Sequence, residues 1–339
     1  MPAGFKLNLD ELRAFLKRRA PGQSDLTTAR CEPDEPEIVA GLAGGLTCGA
    51  PLAVLIRNTD ARSADYREIC DIPRPSHADY AAQIKFGGYQ DVAGGGHFSG
   101  RLTAPLCAAG GICLQILHSL GIDIGAHILQ MGAIQDDAFD PVNVAVEDFK
   151  KILTHPLPVL RREAGEQMRR LLLELREKGD SLGGIIECAA IGLPAGLGDP
   201  MFDGIENRLA GAVFGIPAIK GIEFGSGFAG AVTTGAQNND SFYMDKSAGK
   251  CTVKTRTNHS GGILGGITSG MPVLFRAACK PTPSIAIKQA SISFSRREDA
   301  VLQIKGRHDP CLALRATPCV EAAAAIALYD AYLDQQGHI

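Results

Sequence analysis

The amino-acid sequence predicts a globular protein of the α+β class. Its 339 residues are enough to enclose a large core, and 45% of them are hydrophobic against 21% charged, as in folded domains. Helical and strand-like segments alternate without a steady strand–helix–strand rhythm, which favours α+β over a doubly wound parallel sheet. Because no repeat or linker divides the chain, we expect a single domain over residues 1–339.

The first predicted helix begins at an N-cap. Asn8 precedes an apolar helical stripe, Glu11 has the spacing of a capping box, and Pro21-Gly22 ends the segment. A short strand-like run follows at 52–56. The next segment, 57–101, is rich in Arg, Asp, Gly and Pro and has no sustained period. A loop of this length is unusual in a compact domain unless it is functional, so we interpret it as part of the active site.

Two further helices and two strands have clear local signals, and a last helix is indicated by composition. An apolar segment at 103–120 predicts a buried helix, and 122–134 predicts a strand. The clearest helix covers 160–178, where leucines recur at three- and four-residue spacings before a C-capping glycine. Residues 185–193 predict a strand, and the alanine-rich segment 319–333 predicts the final helix.

Charge and cysteine usage exclude several classes of protein. The 34 basic and 37 acidic residues give a net charge of −3, whereas a dedicated nucleic-acid binder carries a basic excess. The sequence contains no apolar run of about 18 residues, so no membrane span is predicted. The ten cysteines form no Cys-x-x-Cys pair, so the sequence gives no support for a metal site or a redox dithiol. Reduced thiols in the cytoplasm are the expectation.

Four polar clusters punctuated by glycine or proline are candidates for chemistry: 57–63 with 74–80, 94–101, 258–270 with 280–284, and 305–311. The three glycines at 94–96 can form an anion-binding nest or simply a tight turn before a helix. Their spacing is neither a Walker A loop nor a dinucleotide fingerprint. Four such clusters in a chain of modest charge indicate a large anionic ligand.

Two of the clusters contain candidate acid–base groups. A lone histidine is more often structural than catalytic, but His77 stands among acids and arginines, which favours a function. Asp309 beside His308 fits either a general acid–base group or a surface turn.

The motifs, in this order and spacing, resemble those of the chorismate synthase family along essentially the whole chain. They are Arg18-Arg19-x-Pro21-Gly22, Asn58-x-Asp60-x-Arg62-Ser63-x-Asp65-Tyr66, Arg74-Pro75-x-His77-Ala78-Asp79, Gly94-Gly95-Gly96, Pro194-Ala195-Gly196-Leu197-Gly198, Asn258-His259-x-Gly261-Gly262-Ile263-Leu264-Gly265-Gly266, Lys280-Pro281-Thr282 and Gly306-Arg307-His308-Asp309-Pro310-Cys311. The resemblance implies a β-α-β sandwich, with helices packed between antiparallel sheets, and a homotetramer. It also implies conversion of 5-enolpyruvylshikimate 3-phosphate to chorismate by 1,4-anti elimination of phosphate with reduced FMN. Whether the chain would reduce its own flavin with NADPH stays open.

Carried over position by position, the resemblance assigns roles to individual residues. His77 corresponds to the histidine that protonates reduced flavin, and Asp309 to the carboxylate that works with flavin N5. Substrate anions would be bound by Arg19, Arg74, Ser99 and Arg101. The flavin would be contacted by His97, Phe98, Ser99, Pro217, Ala218, Gly265, Lys280, Pro281, Thr282, Pro283, Ser284 and Arg307.

The chain departs from the family pattern in two places. His97 stands where many members have an arginine, which changes the expected phosphate contacts. The family's N-terminal motif Gly-x-Ser-His-Gly, whose histidine is implied to protonate the departing phosphate, is absent, so we expect a chain truncated at its N-terminus. A catalytically impaired flavin- or anion-binding remnant is therefore the alternative function. A nicotinamide oxidoreductase is disfavoured because no strand–Gly-x-Gly-x-x-Gly–helix unit is present.

Overall fold

Helices and antiparallel strands make up the fold. The computed structural model describes residues 1–22, 26–27, 32–58, 70–91, 93–246, 251–304 and 309–337. Its helices are α1 (Leu9–Arg19), α2 (Asp79–Phe86), α3 (Thr103–Ser119), α4 (Val146–Ile152), α5 (Arg162–Lys178), α6 (Ile205–Phe214), α7 (Gly235–Asn238) and α8 (Ala313–Gln336). Its strands are β1 (Pro36–Ala40), β2 (Leu42–Ala43), β3 (Leu46–Thr47), β4 (Ala53–Ile56), β5 (Asp123–Met131), β6 (Ile134–Gln135), β7 (Gly184–Ile191), β8 (Ile219–Phe224), β9 (Phe242–Asp245), β10 (Thr252–Thr255), β11 (Ile263–Leu264), β12 (Ile267–Thr268), β13 (Val273–Cys279), β14 (Gln289–Ser293) and β15 (Glu298–Leu302). The α+β class predicted from the sequence is confirmed.

The largest sheet has five antiparallel strands in the order β6-β5-β7-β13-β8. Two-stranded hairpins surround it, among them β1 paired with β4 and β11 paired with β12. Strands that are distant in the chain become neighbours here, since β13 lies between β7 and β8. The sheet therefore brings segments from the middle and the end of the chain together.

The helices pack between this sheet and the β1–β4 hairpin. Helix α8 contacts β5 and β7, α3 packs along α8, and α3 also contacts β4. The two helices approach closely at Gly110, where a Cβ would stand only 2.3 Å from the Cβ of Ala322. This layering agrees with the β-α-β sandwich expected from the family resemblance.

Helix α3 needs separate mention because it is strongly apolar. The segment Gly100–Ser119 has the length and hydropathy of a membrane span, and half of it is buried inside the protein. Its buried residues pack against α1 and α8. The same length and hydropathy are found in core helices, and the packing of α3 is that of a core helix.

Local signals located several elements and missed others. Asn8 caps α1 by accepting hydrogen bonds from Asp10 N and Glu11 N, and Gly179 ends α5 with a φ of 70°, both as predicted. Helix α2 was not predicted within 57–101. Helix α8 begins at Ala313, six residues before the predicted start, and runs through Pro318. A proline removes one backbone hydrogen bond, and burial of most residues in α8 outweighs that loss.

A row of charged side chains crosses the central sheet. Nε2 of His127 lies 3.1 Å from Oε2 of Glu187, and Arg276 Nε lies 2.9 Å from the other oxygen of the same carboxylate. On its other side, His127 Nδ1 lies 3.3 Å from Asp136. Burial opposes the charged form of His127, but the hydrogen bonds to Asp136 and Glu187 outweigh it and raise its pKa above the ordinary value. The two carboxylates on either side of His127 thus favour its charged form.

Candidate active site

The turn before α2 places Arg74, His77 and Asp79 together. The Asp79 carboxylate accepts hydrogen bonds from Arg74 Nε at 2.7 Å and Nη2 at 2.8 Å, and His77 Nδ1 lies 2.6 Å from its Oδ1. Burial opposes ionisation of Asp79, but the bonds from Arg74 and His77 outweigh it and hold its pKa well below the ordinary value. The carboxylate therefore stays charged and fixes both neighbours, and Arg74 Nη2 also lies 2.9 Å from His77 Nδ1.

The segment 280–284 lies against this turn. Ser284 Oγ accepts a hydrogen bond of 3.2 Å from Arg74 Nη1, and Lys280 Nζ donates to the carbonyl oxygen of Ser76. The backbone N–H of Lys280 donates to the carbonyl of Ala218 at 2.9 Å. Both Ser76 and Ala218 have left-handed backbone conformations, with φ of 58° and 78°. Such strained positions concentrate at functional sites, and here both of them anchor one lysine.

Asp309 joins the same group of residues. Its carbonyl oxygen accepts a hydrogen bond of 2.8 Å from Thr282 Oγ1, and its carboxylate pairs with Arg315 Nη1 at 2.7 Å. Arg315 also donates from Nε to the carbonyl oxygen of Arg19 at 2.8 Å. Since Asp309 is only 7% exposed, Arg315 both compensates its charge and ties it to the end of α1.

Arg19 is placed differently from the expectation. Its guanidinium is buried, pairs with Asp34, and donates to Thr103 Oγ1 at 2.9 Å and to the Gly100 carbonyl at 3.1 Å. These contacts hold the start of α3. Direct contact between Arg19 and substrate stays a prediction, because the structure shows its side chain fully engaged with protein groups.

The glycine-rich segment before α3 carries Arg101. Residues Ala93–Phe98 form a 3-10 turn, and Gly96 has a φ of 52° at a place where a Cβ would stand 1.9 Å from the Asp91 carbonyl oxygen. Ser99 Oγ accepts the Arg101 N–H at 3.2 Å, so this hydroxyl caps the turn. Arg101 Nε lies 2.9 Å from Oε1 of Glu32.

The remaining predicted residues vary in position. His97 is exposed, and the Phe98 ring lies 6.5 Å from that of Phe86. Gly265 is at the tip of the β11–β12 hairpin, and its neighbour Gly266 accepts a hydrogen bond from Ile205 N at the start of α6. Contact of Gly265 with flavin stays a prediction. Pro217 is exposed beside Ala218, and Pro281 and Pro283 lie within the segment 280–284. Arg307 lies outside the described residues, as do residues 59–69, which include most of the motif that begins at Asn58.

Sequence reasoning missed the charge partners of the site. Asp79 was visible in the motif, two residues after His77, but its role was not predicted. Glu32, Asp34 and Arg315 have no local signal, because each one pairs with a residue that only the fold brings near it.

Comparison with known proteins identifies the family of the chain. The family model described as chorismate synthase matches residues 1–333. The chorismate synthase of Lancefieldella parvula is 46% identical over 341 residues, covering 97% of this chain and 88% of the relative, and that of Korarchaeum cryptofilum is 42% identical, covering 97% and 89%. A crystal structure of chorismate synthase is similar with a TM-score of 0.75 at 29% identity, covering 99% of this chain and 86% of that one. The chain therefore belongs to the chorismate synthase family.

Proposed function

We propose that this chain converts 5-enolpyruvylshikimate 3-phosphate to chorismate by eliminating phosphate, as a lyase of aromatic amino-acid biosynthesis, with reduced FMN bound at the site. The observation that carries the proposal is the continuous set of contacts from His77 and Arg74 through Ser284 and Thr282 to Asp309. This set of contacts supports the proposal that two candidate proton-transfer groups from distant parts of the chain serve one site.

The substrate carries two carboxylates and a phosphate, which requires cations. Arg74 and Arg101 are the proposed ligands, because a guanidinium can bind a carboxylate or a phosphate through two parallel hydrogen bonds. Arg74 is already oriented by Asp79, so part of the entropy cost of fixing its side chain is met before substrate arrives.

The residues around Lys280 suit FMN chemically. Lys280 provides a cation, and the buried hydroxyls of Thr282 and Ser284 provide hydrogen-bonding groups. The half-buried ring of Phe98 is proposed as an apolar surface for the flat ring of the flavin. When bound, reduced FMN supplies an electron-rich nitrogen that can take the poorly acidic ring hydrogen. Ala218 and Lys280 through Ser284 are the residues proposed to hold it.

His77 and Asp309 are the proposed proton-transfer groups. With Nδ1 of His77 directed to Asp79, Nε2 is the ring atom left to give up or take a proton. The Asp309 carboxylate is fixed by Arg315 at the opposite end of the contact set.

We also propose a cytoplasmic homotetramer. Phe202, Phe228 and Val232 are each more than 80% exposed, which is unusual for large apolar side chains unless another subunit covers them. Light scattering at micromolar concentration tests this, and a monodisperse monomer contradicts it.

The test of the activity is anaerobic chorismate formation with FMN reduced chemically, and in a second arm with NADPH alone. We expect His77→Ala to lower kcat by about 10²-fold or more, as for loss of an acid–base group. His118→Ala is the matched control, because His118 also lies 2.6 Å from a carboxylate, that of Asp123, but is largely exposed. Absence of chorismate formation by the unaltered chain, or equal kcat values for the two variants, contradicts the proposal.

A further inference from the structure

Arg101 already has an anion bound to it. Its Nε lies 2.9 Å from Oε1 of Glu32, and the side chains are only 16% and 8% exposed. A carboxylate sheltered from water therefore already contacts the guanidinium that is proposed to bind substrate. Because both side chains are largely buried, water screens this ion pair less than it screens a salt bridge on the protein surface.

Glu32 and Arg101 both stand near residues that contact the buried Arg19. Glu32 stands two residues before Asp34, which pairs with the buried Arg19. The Arg19 guanidinium also donates to the Gly100 carbonyl and to Thr103 Oγ1, the turn that carries Arg101. Arg19 and Asp34 thus fix the positions of Glu32 and Arg101 relative to each other.

We propose that Glu32 is the internal counter-ion of Arg101 and that an anionic group of the substrate displaces it on binding. This inference rests on the proposed function, in which Arg101 binds a substrate anion. Two anions on one sheltered guanidinium repel each other, so the substrate must compete with Glu32. In the free enzyme Glu32 compensates the charge of Arg101, and by returning it favours release of the anionic product.

The competition has a measurable consequence, which is tighter binding when Glu32 loses its charge. Calorimetric titration of the flavin-free protein with 5-enolpyruvylshikimate 3-phosphate, and separately with inorganic phosphate, should give a Kd about three- to tenfold lower for Glu32→Gln, as expected for removing one ion pair. Glu35→Gln is the matched control, because Glu35 lies on the same segment and pairs with Arg13 at 2.7 Å on the surface. Its Kd should equal that of the unaltered protein.

Two further variants keep the test decisive. Arg101→Gln should weaken binding about tenfold or more if Arg101 is a substrate ligand. Weaker binding for Arg101→Gln together with unchanged or weaker binding for Glu32→Gln overturns the counter-ion role and leaves the proposed function intact. Unchanged binding for Arg101→Gln removes the substrate role of Arg101 and the inference with it. If Glu32→Gln does not fold, Glu32→Asp replaces it. The shorter side chain draws the carboxylate away from Arg101, so binding should again be tighter, and unchanged binding contradicts the inference.

Discussion

Replacing Arg315 by methionine should lower both stability and turnover, because Arg315 holds Asp309. The substitution keeps a long side chain but removes the 2.7 Å ion pair with the Asp309 carboxylate and the 2.8 Å hydrogen bond to the Arg19 carbonyl. Breaking a buried ion pair by removing one partner costs about 3–5 kcal/mol. Arg315 is 18% exposed, so water can reach the pair, and we expect about 3 kcal/mol, the lower end of that range.

Turnover should fall for a separate reason. Without Arg315 the Asp309 carboxylate loses its 2.7 Å ion pair and can shift, and a displacement of about 1 Å at a reacting group can cost about 10²-fold in rate. Arg315→Lys should lower turnover less than Arg315→Met, because the ammonium group retains the positive charge. Some loss should remain, because one ammonium group cannot reach both partners of Arg315.

Urea unfolding and chorismate formation with chemically reduced FMN measure the two effects. Arg13→Met is the control, because Arg13 pairs with Glu35 on the surface at 45% exposure, where water screens the pair, so its replacement should leave stability nearly unchanged. In the double variant Asp309→Asn, Arg315→Met, the second substitution should cost less stability than it does alone, since no buried charge is then left without its partner.

One result refutes the positioning role directly. If Arg315→Met loses stability but its kcat and pH–rate profile, corrected for the folded fraction, equal those of the unaltered enzyme, then Arg315 is only a structural residue. Unchanged stability would show that the ion pair contributes nothing in solution.

Three further predictions concern stability. Asp79→Asn should cost about 2 kcal/mol at neutral pH, because it removes charge-assisted hydrogen bonds. Since the folded pKa of Asp79 is depressed, this contribution is present above the ordinary pKa of about 3.9 and is lost as pH falls through the folded value, so urea unfolding near pH 3 should show a smaller difference than at pH 7. The folded pKa of His127 is raised, so its contribution is complete below about pH 6.5 and is lost as pH rises through the folded pKa. Thermal unfolding between pH 6 and 9 should show this loss in the unaltered protein and not in His127→Gln. Gly110→Ala should cost about 3 kcal/mol by overpacking against Ala322, and adding Ala322→Gly should recover little, because the new Cβ would also stand 2.4 Å from the Cα and 2.7 Å from the carbonyl oxygen of residue 322; full stability of the single variant in urea unfolding contradicts the close helix contact.

Elements with strong local signals were predictable, and those without were not. The side chain of Asn8 caps α1 within three residues, so the sequence displays that helix directly. Helix α2 has eight residues, of which only Ala82 is buried, so its sequence lacks the apolar stripe from which a helix can be predicted. Helix α8 was predicted too short, because only its alanine-rich part, 319–333, has a compositional signal, whereas tertiary packing extends the helix across Pro318.

The candidate site divides in the same way. Motifs identified His77, Arg74 and Asp309, because their neighbours in the chain follow a recognisable order. Arg315, the partner that fixes Asp309, was not identified. Its position depends partly on a hydrogen bond to the carbonyl of Arg19, a residue about 300 positions away in the chain. Pairings of that kind depend on β13, α1 and α8 being assembled, and no spacing rule in the sequence encodes them.

The packing of α3 on α8 has a consequence for synthesis of the chain. Helix α3 is complete by Ser119, whereas α8, which covers it, begins at Ala313. Ribosomes add about 5–20 residues per second, so an apolar helix waits roughly 10–40 s for its partner. During that interval the nascent chain exposes a surface suited to aggregation or chaperone binding. Yield during expression should therefore depend on translation speed and chaperone supply more than on the equilibrium stability of the finished protein.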